Sequence, residues 1–337
     1  MKQFVDVRFL FVGQLLFWLL FSPGAVMAAQ HDTSTAPYVK WVAEYPEHVM
    51  HKNDSLFIVR LFNLITGRKT AHSRISRPVA VYAESPGDIL VADQLEQSVL
   101  SMKGRKIRLP ACERKKPGNF SSLIGLCRAG NKVLFTDSRQ NKVFAMDADF
   151  KKYRVFGDTG GFKQPTGIAC SEATGEVWIV ETGLHRISIY SKEGMFVKTI
   201  GQRGAEAGQF NYPTSIWIDK NGDAYVVDAM NFRVQIFDKT GKFITMFGEL
   251  GDGSGYFARP KGIAVDQFGN IYVADAQFQV VQIFDRAGNF LYRFGSAGSE
   301  KGQFLMPEGI YIDDKNYIYV ADAYNSRIQV FQLINGS

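Results

Sequence analysis

The sequence contains few of the residue types that stabilise disulfide-rich domains. Among its 337 residues there are three cysteines, Cys112, Cys127 and Cys170, and no CxxC pattern. A small, odd number of cysteines excludes a disulfide scaffold and a zinc site of the CxxC type. Cys112 and Cys127 could bridge a local loop. Buried thiols are the alternative for Cys127 and Cys170, each of which falls in a predicted strand.

Long apolar runs are also scarce. The run Phe9–Phe21 has 13 residues, whereas a membrane-spanning helix needs about 20. Two basic residues, Lys2 and Arg8, come before this run, and a Pro-Gly pair and several small residues follow it. This pattern predicts that residues 1–28 are an export signal cleaved after Ala28, with an uncleaved membrane anchor as the alternative. We therefore expect an exported protein, either periplasmic or extracellular.

The formal charge of +6 comes from one segment of the chain. Residues 60–116 carry twelve basic and five acidic residues, or +7, whereas residues 117–337 carry 23 of each. This segment includes a basic patch made of Arg68, Lys69, Arg105, Lys106, Arg108, Arg114, Lys115 and Lys116. The patch is either a solvated face or a docking surface for an acidic partner.

Most of the remaining chain is a repeat. Prolines mark four copies with spacings of 48, 47 and 47 residues, at Pro165, Pro213, Pro260 and Pro307. Two weaker copies come earlier and begin at Pro78 and Ser121. Each complete copy contains four short β-rich runs separated by Gly, Asn and Asp, which is typical of consecutive hairpins.

Four antiparallel strands have an apolar face and free edges that one copy cannot bury alone. Six such sheets arranged radially around an axis bury both. We therefore predict an all-β fold, a six-bladed β-propeller over residues 77–334. A solenoid is disfavoured because it would need shorter repeats and parallel coils.

The two ends of the chain predict how the ring closes. The last copy stops at Ile334, one strand short of a full blade. Near the N-terminus, YVKWV (Tyr38–Val42) matches the fourth strand of another copy, FVKTI (Phe196–Ile200), position by position. We expect residues 37–45 to complete the sixth blade.

The later copies resemble the NHL repeat. The resemblance is carried by a strand ending in V-x-D, a glycine-bearing turn, and two sets of residues: Asn231, Arg233, Gln235 and Phe237, and Asn325, Arg327, Gln329 and Phe331. It covers about residues 77–334 and is weakest in the first two copies. Val280, Ser98 and Lys142 replace the arginine in three copies. The layout is similar to that of bacterial exported six-bladed NHL proteins, which implies a binding scaffold.

An acidic residue ends the second strand of every copy, at Asp93, Asp137, Glu181, Asp228, Asp275 and Asp322. A catalytic carboxylate needs one particular partner and pocket, so six equivalent ones are interpreted as structural. We expect them to accept backbone N–H bonds from the next turn. In several copies they would also pair with the arginine five residues later, as Asp228 with Arg233.

A metal-dependent lyase or lactonase acting in the central channel is the alternative to a binding scaffold. The resemblance to gluconolactonase-like propellers is in architecture only, and a metal site of the NHL lyase kind needs several histidines. Of the five histidines only His185 lies in a blade, where a turn residue is the preferred interpretation. No nucleophile–His–acid set can be assembled around it. We predict no catalytic residue, metal or cofactor.

Candidate binding residues lie in the loops between the second and third strands, which a propeller presents on one face: Arg139, Leu184, His185, Met230, Phe232, Phe278 and Tyr324. Exposed apolar side chains gathered there predict a surface for another envelope protein or an anionic polymer. Packing against neighbouring blades is the alternative. Nucleic acid is not expected as a partner, because residues 1–28 are predicted to be an export signal.

The segment Asn53–Arg68 departs from the repeat. A capping residue at Asn53 or Asp54 and a terminating Gly67 predict a short apolar helix over about residues 53–67. Its polar stripe is narrow, so something must cover the helix. It packs either under the propeller or against a partner or membrane surface. The neighbouring basic patch would allow peripheral contact with an anionic membrane.

Overall fold

The protein is described here by a computed structural model covering residues 38–46, 75–104, 106–108, 120–147, 150–157 and 161–334. These residues form six four-stranded antiparallel sheets, which are the blades of the propeller. The predicted six-bladed β-propeller is confirmed.

The strands follow one another blade by blade. Strand β1 (Tyr38–Tyr45) precedes all the sheets. Blade 1 has β2 (Pro78–Ser85), β3 (Asp88–Asp93), β4 (Ser98–Lys103) and β5 (Lys106–Arg108); blade 2 has β6 (Leu123–Ala129), β7 (Lys132–Asp137), β8 (Lys142–Asp147) and β9 (Tyr153–Phe156). Blade 3 has β10 (Pro165–Cys170), β11 (Glu176–Glu181), β12 (Arg186–Ser191) and β13 (Phe196–Ile200); blade 4 has β14 (Pro213–Ile218), β15 (Ala224–Asp228), β16 (Arg233–Phe237) and β17 (Phe243–Phe247). Blade 5 has β18 (Pro260–Val265), β19 (Ile271–Asp275), β20 (Val280–Phe284) and β21 (Phe290–Phe294); blade 6 has β22 (Pro307–Ile312), β23 (Tyr317–Asp322) and β24 (Arg327–Ile334). Single 3₁₀ turns at Thr182–Leu184, Ala229–Asn231 and Ala323–Asn325 follow three of the second strands.

The first strand of each blade lines the axis, and the six inner strands close a ring. Each of β2, β6, β10, β14, β18 and β22 contacts the inner strands of the two blades beside it, and β22 returns to β2. Glycines allow this close approach. A Cβ added to Gly167 would lie 2.8 Å from the Cα of Ser215 in the next blade.

The core lies between blades rather than within one. All five residues of β15 and of β19 are buried, because a neighbouring blade covers each face of the sheet. The alternating pattern of β16 therefore does not separate buried from exposed residues, and Arg233 and Gln235 are buried like their neighbours. The connectors between blades add one buried phenylalanine each, such as Phe210 and Phe257.

Strand β1 is the outer strand of blade 6. It pairs antiparallel with β24, from Tyr38 opposite Ile334 to Tyr45 opposite Ile328. Side chains reinforce the pairing, since Trp41 Nε1 donates to Gln329 Oε1 at 3.1 Å. One sheet therefore contains both the earliest and the latest described strands of the chain.

The structure corrects both expectations for Cys127. Cys127 forms a disulfide with Cys170, and the two Cα atoms are 6.1 Å apart. The two cysteines lie on β6 and β10, the inner strands of adjacent blades, which the ring brings together. Cys112 lies outside the described residues.

Several predicted segments also lie outside the described residues. They are the export signal at residues 1–28, the helix at about 53–67, and Arg68, Lys69, Arg105, Arg114, Lys115 and Lys116 of the basic patch. Lys106 and Arg108 of that patch lie in β5, and Lys106 is exposed. Within the described part of the chain, no helix is long and apolar enough to cross a membrane.

Candidate binding face and central cavity

The strand-end carboxylates hold the turns of one face in place. All six are almost fully buried. Asp275 shows the arrangement without an arginine: it accepts the N–H of Ala258 at 2.8 Å from the preceding connector, and the N–H groups of Gln277 and Phe278 from the following loop. Five of the six carboxylates join a connector to the loop after the second strand in this way, which is a structural role. Glu181 instead joins the connector N–H of Lys163 to the side chains of Arg186 and Ser188 in the third strand.

Arginine strengthens this arrangement in three blades. Arg186, Arg233 and Arg327 donate from Nε to their strand-end carboxylates at 2.8–2.9 Å. The guanidinium of Arg233 also donates to the connector carbonyls of Ala205 and Glu206, at 2.6 and 3.0 Å. The predicted pairing of carboxylate and arginine is therefore present, and it fixes the connector as well as the loop.

The loops share one backbone device. The residue four positions after each strand-end acid has a left-handed backbone, with φ between 53° and 59°, at Gln97, Asn141, His185, Phe232, Gln279 and Ser326. This conformation turns the chain into the third strand. His185 occupies this turn position. Its side chain is buried, and its Nδ1 accepts the N–H of Tyr212 at 3.1 Å.

Several of the candidate residues form an exposed rim on this face. Leu184, Met230 and Tyr324 are 41%, 54% and 55% exposed, and Arg139 is exposed as well. Leu95, in the corresponding loop of blade 1, is 67% exposed. We call these five residues the binding rim. Phe232 and Phe278 are only half-buried, and Phe232 packs against the core between blades 4 and 5, so neither belongs to the rim.

A polar groove lies beside the rim over blades 1 to 3. Its volume is about 630 Å³, and its walls include Leu95, Arg139 and Lys163. None of the described residues that line it is acidic. The groove is therefore suited to anionic groups.

A central cavity runs along the propeller axis. It has a volume of about 1020 Å³ and is lined by all six inner strands and by turns that follow them. Tyr82, Trp217 and Tyr311 contribute aromatic rings to its wall, and Lys261 and Glu308 form an ion pair there at 3.4 Å. The cavity extends from the starts of the inner strands to the turns that follow them, which lie on the face opposite the binding rim.

The described residues contain no cluster of three or more His, Cys, Asp or Glu side chains that could hold a metal ion. The carboxylates in the cavity wall mostly have other partners. Asp219, Asp266 and Asp313 accept backbone N–H groups within their own turns and a tyrosine hydroxyl each. The donor set in the described cavity therefore does not fit a resident metal.

Sequence reasoning did not identify Leu95 or the cavity wall. Leu95 lies in a degenerate copy, but its place two residues after Asp93 matches Arg139, Met230 and Tyr324. The cavity residues share a register as well: Tyr82, Cys127, Ala169, Trp217, Ala264 and Tyr311 occupy the same position of the six inner strands. At this position, three blades have large aromatic residues and the other three have small residues. That difference between copies was the sequence signal for an aromatic cavity wall.

Two protein-family models match the chain. One, described as NHL repeat, matches residues 304–331; the other, described as 6-bladed beta-propeller, matches residues 221–282. The chain is therefore a six-bladed β-propeller whose last blade contains a match to the NHL repeat. No curated protein is significantly similar to it in sequence.

Solved structures share this fold at low sequence identity. An auxiliary nutrient binding protein from Bacteroides thetaiotaomicron is 13% identical with a TM-score of 0.61, over 77% of this chain and 70% of that chain. Virginiamycin B lyase from Staphylococcus aureus is 15% identical with a TM-score of 0.56, over 78% and 97%. A gluconolactonase from Xanthomonas campestris is 12% identical with a TM-score of 0.59, over 77% and 87%. These likenesses show the fold alone.

Proposed function

We propose that the protein is a non-catalytic binding scaffold of the cell envelope that holds an acidic envelope protein against its binding rim. The observation that carries the proposal is the rim itself. Buried carboxylates and arginines fix the loops, while Leu95, Leu184, Met230 and Tyr324 project large apolar side chains. Exposed apolar side chains on a rigid frame are typical of protein interfaces.

The charge of the same face favours an acidic partner. Arg139 and Lys163 line the polar groove without a carboxylate among the described lining residues. An anionic polymer is the second candidate, and the groove is the observation that favours it.

The disulfide supports an exported location. Bonds such as Cys127–Cys170 persist in oxidising compartments and are rare in the cytosol of most organisms. Together with the predicted signal at residues 1–28, this favours the periplasm or the extracellular space. Intact-mass measurement of the mature protein tests the point: cleavage after Ala28 is expected, and a full-length cytosolic product would contradict it.

A lyase or lactonase acting in the channel is less well supported. Two of the structural neighbours are a lyase and a gluconolactonase by name, but at 12–15% identity they carry only the fold. The one histidine in a blade is buried and bonded to the backbone of Tyr212. The strand-end carboxylates on the loop face already accept hydrogen bonds from the turns, as Asp275 does from three backbone N–H groups.

Site-specific photo-cross-linking in intact cells tests the proposed partner. A photoreactive amino acid is placed at Met230 on the rim or, as a matched control, at Met195, which is 67% exposed in a turn of the opposite face. A discrete protein adduct is expected from Met230 and not from Met195. Loss of the adduct in Arg139→Glu would support an acidic partner. Equal adducts from both positions, or no adduct from Met230, would contradict the proposal.

A further inference from the structure

The central cavity has a distinctly asymmetric wall. Tyr82 of blade 1, Tyr311 of blade 6 and Trp217 of blade 4 form a continuous aromatic strip, with ring centroids 4.9 Å apart for Tyr82–Tyr311 and 5.3 Å apart for Trp217–Tyr311. The equivalent residues of blades 2 and 3 are Cys127 and Ala169. Small side chains therefore leave space across the axis from the aromatic strip.

Three pairs of opposite charge lie in the cavity wall. Glu84 bonds to Arg128 between blades 1 and 2, and Arg286 of blade 5 bonds to Asp223 of blade 4 at 2.6 Å. Lys261 and Glu308 form the third pair, between blades 5 and 6. Each pair offers donors and acceptors side by side, which is what a ligand hydroxyl needs, because a hydroxyl both donates and accepts.

The Tyr82 hydroxyl can accept a hydrogen bond from a ligand. Burial, with the neighbouring Glu84 carboxylate adding to it, raises the pKa of Tyr82 to about 12, and the hydroxyl donates its one proton to Glu84 at 3.2 Å. A lone pair of the Tyr82 oxygen is left for a ligand hydroxyl.

The overall charge of the wall excludes one class of ligand. Eight carboxylates line the cavity (Glu84, Glu172, Asp219, Asp223, Asp266, Glu308, Asp313 and Asp314), against four cations (Arg128, Lys220, Lys261 and Arg286). The difference is −4, in a chain whose formal charge is +6. Anionic ligands are therefore disfavoured in the cavity.

We infer that the central cavity binds a short carbohydrate without anionic groups, either neutral or amino-bearing. Its apolar ring faces would pack on Tyr82, Tyr311 and Trp217, and its hydroxyls would bond to the flanking ion pairs. The aromatic rings touch one another at interplanar angles of 56° and 60°, so they present separate ring faces for sugar rings rather than an open cage around a single cation. The volume of about 1020 Å³ lies at the upper end of the ~300–1,000 Å³ of small-molecule sites, which suits an oligosaccharide. This site is separate from the binding rim and does not depend on it.

Isothermal titration calorimetry with three trisaccharides tests the inference. The probes are cellotriose, which is neutral, the glucosamine trimer, which is cationic, and the galacturonic acid trimer, which is anionic. Binding of cellotriose or the glucosamine trimer is expected at one site per chain with Kd below about 1 mM, and the galacturonic acid trimer is expected not to bind. Absence of binding by the first two, or preference for the third, would overturn the inference.

Variants locate the binding. Tyr82→Leu removes one ring of the strip and is expected to weaken binding about tenfold. The matched control Tyr292→Leu, on the outer strand β21 where the side chain is 41% exposed, is expected to leave binding unchanged. Should Tyr82→Leu fail to fold, Glu308→Gln replaces it and is also expected to weaken binding. Undiminished binding by the folded cavity variant, or loss of binding in the rim variant Met230→Asp, would overturn the assignment.

Discussion

Arg327 and Glu44 form a buried ion pair across a sequence separation of 283 residues, with Arg327 Nη1 donating to Glu44 Oε2 at 2.8 Å. Arg233 holds the equivalent position in blade 4, but its Nη1 donates to the carbonyl of Ala205 instead. The last blade has therefore exchanged a connector carbonyl for a carboxylate of β1. This exchange joins the first described strand to the last one and closes the ring.

Removal of this pair should destabilise the closed ring. Glu44→Ala leaves the buried Arg327 guanidinium without one of its partners, so we expect the free energy of unfolding to fall by about 2 kcal/mol. Urea denaturation measures it. Asp88→Ala serves as the control, because Asp88 pairs with Lys103 at an exposed site and its loss should cost less than about 1 kcal/mol. Equal effects of the two variants would contradict the role of Glu44.

Loss of a strand-end carboxylate should reduce stability. Asp275→Ala leaves the buried N–H groups of Ala258 and the loop without their acceptor, so we expect a loss of about 3 kcal/mol. Thermal unfolding followed by circular dichroism measures it. A variant with unchanged melting temperature and lost partner cross-linking would instead make Asp275 a functional residue.

The disulfide should make stability sensitive to reductant. Because Cys127–Cys170 closes a loop spanning 43 residues, Cys170→Ala should cost about 3–4 kcal/mol in the chain-entropy description. Alkylation of the unreduced, unfolded protein followed by mass measurement should label Cys112 alone. Labelling of all three cysteines would show that the bond is absent.

Two exposed turns, which contain Asp238 and Asp285, should contribute less to the stability of the fold at acidic pH. Hydrogen bonds from Thr240, with the N–H of Lys242, lower the pKa of Asp238 below its ordinary 3.8, and bonds from Asn289 lower that of Asp285. A lowered folded-state pKa contributes stability above the unfolded value, and this contribution is lost as pH falls through the folded-state value. The double variant Asp238→Asn/Asp285→Asn should therefore melt below the parent at about pH 6, and the difference between their melting temperatures should shrink as the pH falls below 3.8. A difference in melting temperature that does not change with pH would contradict a role for the two ionised carboxylates.

The fold was predictable because its signals are local and repeated. Proline spacing gave the inner strands, turn residues gave the hairpins, and the repeated acid before Asn-x-Arg gave the structural carboxylates. The Cys127–Cys170 pair and the aromatic strip were not predicted, because their members lie on different blades and meet only when the ring forms. His185 and Phe232 lie in the loops from which the binding candidates come, but both occupy the left-handed position at which the chain turns into the third strand. Residue type alone does not show that a side chain at this position points inward. The predicted export signal and helix lie outside the described residues and stay predictions.

The central claim is that the strand-end carboxylates stabilise the fold and that the binding rim contacts the partner. Variants should therefore lose stability or partner binding independently of each other. The measurement is cross-linking from Met230 together with the melting temperature, in Asp275→Ala and in Leu95→Asp/Tyr324→Asp. We predict that the first variant melts earlier but, below its melting temperature, still forms the adduct, and that the second melts like the parent but loses it. Loss of the adduct in the folded Asp275→Ala protein, with the adduct retained in the rim variant, would contradict the account.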